Sequence, residues 1–173
     1  VKFLADLDPR YRRALMRYVG TGATGVTSDE NTVPAEHFTF STMILPAGAE
    51  GPLHIHTDVE EVFFVLRGRV KLIAELNGET WAMEAGERDL ISWPVGVYRG
   101  VINIGDEEAL MCVIVGNPKP VTPTYPPDHP LAQYMPKWPH VSKARRAWHV
   151  RGAEAVLGVE RYWEAQGYAA RAR

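Results

Sequence analysis

The chain has 173 residues, 46% of them apolar, enough for one domain with a sizeable core plus extensions. Its net charge of −2 hides an asymmetry: residues 1–20 sum to +3 and residues 142–173 to +4, leaving −9 for the middle. No basic run is interleaved with aromatics, no apolar segment is long enough to span a membrane, and one cysteine gives no disulfide framework; the expectation is a cytoplasmic protein that binds neither nucleic acid nor membrane.

Asp8-Pro9 has the form of an N-cap and first helical position, and Tyr11, Leu15, Tyr18 and Val19 recur at helical spacing, so residues 1–35 are expected to be a helix and a loop. The stretch 37–44 then alternates, with Phe38, Phe40, Thr42 and Ile44 on one face and His37, Thr39, Ser41 and Met43 on the other. Next comes GPLHIHTDVEEVFFVLRG, residues 51–68. His54 and His56 are two apart, so in a strand both imidazoles leave one face. Glu61 opens an apolar run, and if that run pairs with the His strand its carboxylate converges on the imidazoles. Glu60 points the other way, into solvent. Two His and one carboxylate are the ingredients of a facial metal triad with open positions.

Further strands are read at 69–76 and 79–84, joined by Asn77-Gly78, the strongest two-residue hairpin signal, and at 89–93, 99–104 and 109–115. Cys112 falls in the last of these as a buried reduced thiol. Eight to nine short strands without intervening helices call for an antiparallel sandwich or barrel. From Pro118 the chain changes character: eight of the thirteen prolines lie in residues 118–141, which reads as an extended arm. Its His129, Trp138 and His140 either lid the barrel mouth or pack outside it. Residues 142–173 carry an apolar stripe of Ala155, Val156, Val159, Tyr162 and Trp163 and read as a helical extension.

The pattern HxHx4Ex6G from His54 to Gly68, with Gly51 three residues upstream, resembles the first motif of the cupin family. Gly86, Pro94, Gly96 and Asn103 resemble its second motif, with Arg99 where that motif has a fourth ligand, a His, and with two extra residues between Gly86 and Pro94. The resemblance implies an all-β, double-stranded β-helix (jelly-roll) barrel over residues 36–117; it does not account for the helical extensions read from periodicity at the two ends.

On that barrel His54, His56 and Glu61 would hold a divalent ion, Fe(II) favoured over Mn, Ni or Zn. Alternation directs Glu61, Phe63 and Val65 inward, and the strand of Arg99, Val101 and Asn103 presents its face to the same lumen. A guanidinium is protonated and has no free lone pair, so Arg99 cannot be a ligand. It either pairs with Glu61 in a metal-free site or holds a substrate carboxylate or phenolate beside the metal. His37 is a further lining or substitute-ligand residue, and Asn103 a hydrogen-bonding residue of the sheet. The expected function is a dioxygenase-type oxidoreductase for a small anionic molecule. Two alternatives stand beside it: a non-catalytic cupin binding a small anion at Arg99, and a metal-dependent lyase or isomerase. A homodimer is expected, because short-strand sheets have edges to cover.

Overall fold

A computed structural model describes residues 2–20, 32–118, 120 and 123–134. The C-terminal helix, Trp138 and His140 of the sequence reading lie outside these residues. The described chain begins with helix α1 (Lys2–Leu7) and a 3-10 turn, Pro9–Tyr11, followed by nine strands and a second 3-10 turn at Pro130–Tyr134. The strands are β1 (Ala14–Val19), β2 (Thr39–Leu45), β3 (Glu50–Ile55), β4 (Glu61–Arg67), β5 (Val70–Leu76), β6 (Glu79–Ala85), β7 (Leu90–Trp93), β8 (Tyr98–Asn103) and β9 (Ala109–Val115). They form two antiparallel sheets ordered β1-β2-β9-β4-β7 and β3-β8-β5-β6, the jelly-roll arrangement. Among the described residues no helix is long and apolar enough to cross a membrane.

One register governs the interior. In β2 the buried residues are Thr39, Ser41, Met43 and Leu45; in β4 they are Glu61, Phe63 and Val65; in β8, Arg99, Val101 and Asn103 all face inward. Apolar members of both sheets, including Leu45, Val65, Val70, Leu72, Trp93 and Met111, join in a single core. The hairpin between β5 and β6 turns on Asn77 (φ 54°) and Gly78 (φ 81°), the paired left-handed geometry that Asn-Gly adopts readily. Gly68, at φ 90°, also has Ala109 so close that a Cβ would stand 3.0 Å from its Cα, so this last residue of the HxHx4Ex6G pattern is required by backbone shape. Asn103 is tied into the sheet end: its amide donates to the carbonyls of Leu45 (2.8 Å) and Glu107 (2.7 Å), and its side-chain oxygen accepts from Gly105 N–H (2.9 Å).

The N-terminal reading needs correction. Asp8 does cap a turn, accepting from Arg10 N–H at 2.9 Å with Pro9 next to it, but that turn ends at Tyr11 and residues 14–19 are a strand. Helical spacing of four side chains is a weak preference there. The competing alternation lets β1 complete a ladder on β2 from Ala14↔Ile44 to Val19↔Phe40, and Tyr18 packs its ring on Phe40 and reaches Thr42 Oγ1. Cys112 is half-buried rather than buried, because even-numbered positions of β9 face outward.

The described part of the arm, residues 123–134, lies along its own barrel. Thr124 exchanges two backbone hydrogen bonds with Ile55 (2.8 and 3.1 Å), at the free edge of β3. Leu131 and Tyr125 pack with Leu4 and Tyr11 in a second small core, where His129 stacks on Tyr125 and contacts the Tyr11 hydroxyl through Nε2 at 3.3 Å. The two ends of the described chain therefore meet beside β3.

Candidate metal centre

His54 and His56 come from β3 and the residue that follows it, Glu61 from the first position of β4, and Arg99 from β8. β3 does not pair with β4: it pairs with β8, whereas β4 lies in the opposite sheet between β7 and β9. The carboxylate thus reaches the imidazoles across the sandwich, not along one sheet. One ligand atom from each of His54, His56 and Glu61 lies within 4.8 Å of the others. Arg99 stands directly opposite His54 in the β3–β8 ladder and donates from Nε to Glu61 Oε2 at 2.7 Å, while His54 Nε2 is 4.0 Å from the same oxygen.

The imidazoles are set up as neutral donors. His54 Nδ1 lies 2.7 Å from the Pro52 carbonyl, which can only accept, so Nδ1 carries the hydrogen and Nε2 keeps the lone pair. Burial pushes the His54 pKa down to about 4, with Glu61 opposing. Burial, then the positive Arg99 and then His54, hold His56 well below the ordinary histidine value. Burial also lowers the Arg99 pKa, against the pull of Glu61, yet a guanidinium starts so far above neutrality that it stays charged.

Three buried polar atoms around this cluster lack a hydrogen-bond partner: His56 Nδ1, Arg99 Nη2 and the indole Nε1 of Trp93. Trp93 is directly opposite Glu61 in the β4–β7 ladder and is fully buried. Native interiors satisfy nearly all such groups, so three orphans around one carboxylate mark a place built for something else to bind. Two neutral imidazoles, a carboxylate within reach and an unsatisfied imidazole nitrogen fit a divalent metal ion.

Of the remaining expected residues, Phe63 and Val65 do face the lumen; Phe63 meets Trp93 edge-on at 6.2 Å and Val65 has no exposure. His37 does not. It precedes β2 on exposed chain with its side chain 87% accessible, 3.8 Å from the Glu36 carboxylate, since its inward parity is spent beyond the strand's first residue. Asp58 acts electrostatically on Arg99. Trp93, the last residue of the strand read at 89–93, was not singled out in the sequence as part of the site.

No curated protein matches this chain in sequence. Among solved structures, two of oxalate oxidase, both in complex with glycolate, align with TM-scores of 0.53 and 0.51, at 17% and 18% identity, over 66% and 64% of this chain and 55% and 53% of theirs. Peruvianin-I, a cysteine peptidase from Thevetia peruviana latex, aligns with a TM-score of 0.51 at 13% identity over 64% of each chain. This chain therefore spans about half the length of the oxalate oxidases, and the likeness is one of fold, shared by proteins of unrelated chemistry. Residues 41–115 match the family model of the cupin domain, which begins inside β2 and ends with β9, so the chain carries a cupin domain.

Proposed function

We propose that this protein is a metal-dependent cupin acting as a dioxygenase-type oxidoreductase on a small anionic molecule, a carboxylate or a phenolate. The observation that carries the reading is the buried Arg99 Nη2, a charged donor with no partner beside a set of three ligand atoms. His54, His56 and Glu61 would hold the ion. Fe(II), the favoured metal for mixed imidazole and carboxylate ligation with open positions, would supply redox chemistry with dioxygen, which closed-shell ions such as Zn(II) lack.

The protein's own groups then have separate tasks. Arg99 fixes the Glu61 carboxylate through Nε, so the ligand oxygen is oriented before anything binds. Its Nη2 is left to take the oxygen of an incoming anion, a charge-assisted contact worth more in a dry site than in water. Phe63, the next inward residue after Glu61 on β4, furnishes an apolar wall that excludes water from the anion. The glycolate present in the oxalate oxidase structures is a small carboxylate of the kind this space would take.

Elemental analysis of protein purified without a His tag, followed by oxygen uptake on adding small carboxylates and phenols, tests the proposal. Stoichiometric iron with substrate-dependent uptake is the expected result. A second reading is favoured by the 2.7 Å Arg99–Glu61 ion pair, which is complete without a metal: a non-catalytic cupin that binds a small anion at Arg99. Anion binding by metal-free protein, with no oxygen uptake after iron loading, would select it.

A further inference from the structure

The two sheets turn different faces outward. In the five-stranded sheet the odd-numbered residues of β2, β7 and β9, and of β4 as far as Val65, are buried, so the even-numbered ones form its outer surface. One row is in register across all five strands: Met16 of β1 stands opposite Thr42 of β2, Thr42 opposite Cys112 of β9, Cys112 opposite Phe64 of β4, and Phe64 opposite Leu90 of β7. The row beside it runs Phe40, Ile114, Val62 and Ser92, with the Tyr18 ring packed on Phe40. Neither row holds a charged residue, and Met16 and Leu90 are 62% and 59% exposed. Charge enters at one end, where Arg67 stands opposite Leu110 and forms an ion pair with Glu108. The four-stranded sheet differs: its outward rows carry Lys71 opposite Glu84 and Glu75 opposite Thr80.

A continuous apolar surface of this kind is rarely left bare, and its dimensions say what fits it. Five strands at about 4.8 Å spacing and about 3.3 Å per residue make a face on the order of 20 Å in each direction. A single helix, about 10–12 Å across with its side chains, covers half of that width, whereas a second sheet of the same size covers all of it. A plan area of roughly 400 Å² is half of the about 800 Å² per partner of a standard interface before the relief of its side chains is counted. Rows without charge can also meet their own copy with no like-charge repulsion, and the charged end supplies a polar rim. We propose that two copies of the chain stack these faces about a two-fold axis, like the layers of a β-sandwich, with Cys112 near the middle: β9 is the third of the five strands and Cys112 the fourth of its seven residues. The dimer is then held by a sheet face and not by the sheet edges.

Light scattering on the full chain, together with the rate at which Cys112, its one cysteine, reacts with a soluble disulfide reagent, tests this. At micromolar concentration the wild type should be a dimer with a slow thiol, and dilution to the monomer should speed the reaction. Met16→Lys/Leu90→Lys, at two positions open to water in the single chain, sets ammonium groups against the partner's apolar face. It should raise the dissociation constant by about a hundredfold and free the thiol, while the unfolding midpoint and metal content stay as in wild type. Ala82→Lys, exposed on the outer face of the four-stranded sheet, should leave the mass unchanged. A monomeric wild type overturns the proposal: with a slow thiol, another part of the chain such as residues 142–173 covers the face, and with a fast one the face is bare. A dimer whose mass the double Lys variant does not move overturns it too, because the contact then lies elsewhere. Should that variant not fold, the wild-type thiol decides alone, and a rate that dissociation by dilution leaves unchanged sinks the idea.

Discussion

The two ends of the barrel lumen are lined by the same strands and teach different things. Along the inward row of β4 the side chains run Glu61, Phe63, Val65, and along β8 they run Arg99, Val101 and the hydrogen-bonded Asn103, so within one alternation charge gives way to hydrocarbon. At the apolar end Val65, Val70 and Met111 have no exposure and Leu72 has 1%. At the other, four titratable groups share one space and three polar atoms have no partner. A fold gains nothing by leaving such atoms unpaired, so the apolar end answers for stability and the charged end for binding.

The sharpest way to break that contrast is Glu61→Ala, which strips a metal ligand and leaves the Arg99 guanidinium buried without a counter-charge. Stability should fall by roughly 3–5 kcal/mol in denaturant unfolding, along with loss of bound metal. The double variant Glu61→Ala/Arg99→Met should recover much of the stability and none of the metal. An unaltered unfolding midpoint for Glu61→Ala would mean that the ion pair is not buried in solution.

Acid should act on the same end. An unfolded histidine takes its proton near pH 6.5, whereas His54 in the fold takes it only near 4, and His56 is shifted the same way. Between those values the unfolded chain binds more protons, so stability is complete above pH 6.5 and declines as pH falls toward 4. The His54 contribution is on the order of 3 kcal/mol. Chelator-treated protein melted across this range checks it, and His54→Ala should flatten the slope even though it removes metal binding.

Val65→Ala sharpens the comparison from the other side. Removing two methyl groups from a packed site costs about 2 kcal/mol, and metal content should be untouched. Smallest of all is His129→Phe, which keeps the stack on Tyr125 but removes the contact to Tyr11, at about 1 kcal/mol, with no change in metal. Metal loss in His129→Phe would place the arm in the site.

Most of this could be read from the chain, and the gaps have physical causes. Alternation alone fixes the facing of His54, Glu61, Phe63 and Arg99, and the Asn77-Gly78 turn sets its own hairpin. Which sheet each strand joins is a long-range matter, so the convergence of Glu61 on the imidazoles was legible while its path across the sandwich was not. The strand at residues 14–19 was hidden by an accident of spacing: Tyr11, Leu15 and Tyr18 also suit a helix, and only the neighbouring β2 edge decides between the two. His37 failed for the opposite reason, since strand parity carries no information past the end of the strand.

The bridge between Thr124 and Ile55 has a consequence for the solubility of the four-stranded sheet. An exposed β3 would offer its backbone to any extended chain in solution, which is how sheets grow into aggregates. Here part of that edge is occupied by a segment flanked by Pro123, Pro126 and Pro127, residues with no N–H to offer the next strand. Pairing that starts at Ile55 therefore ends one strand later, so the arm blocks templated growth at this point by forming a single pair of hydrogen bonds.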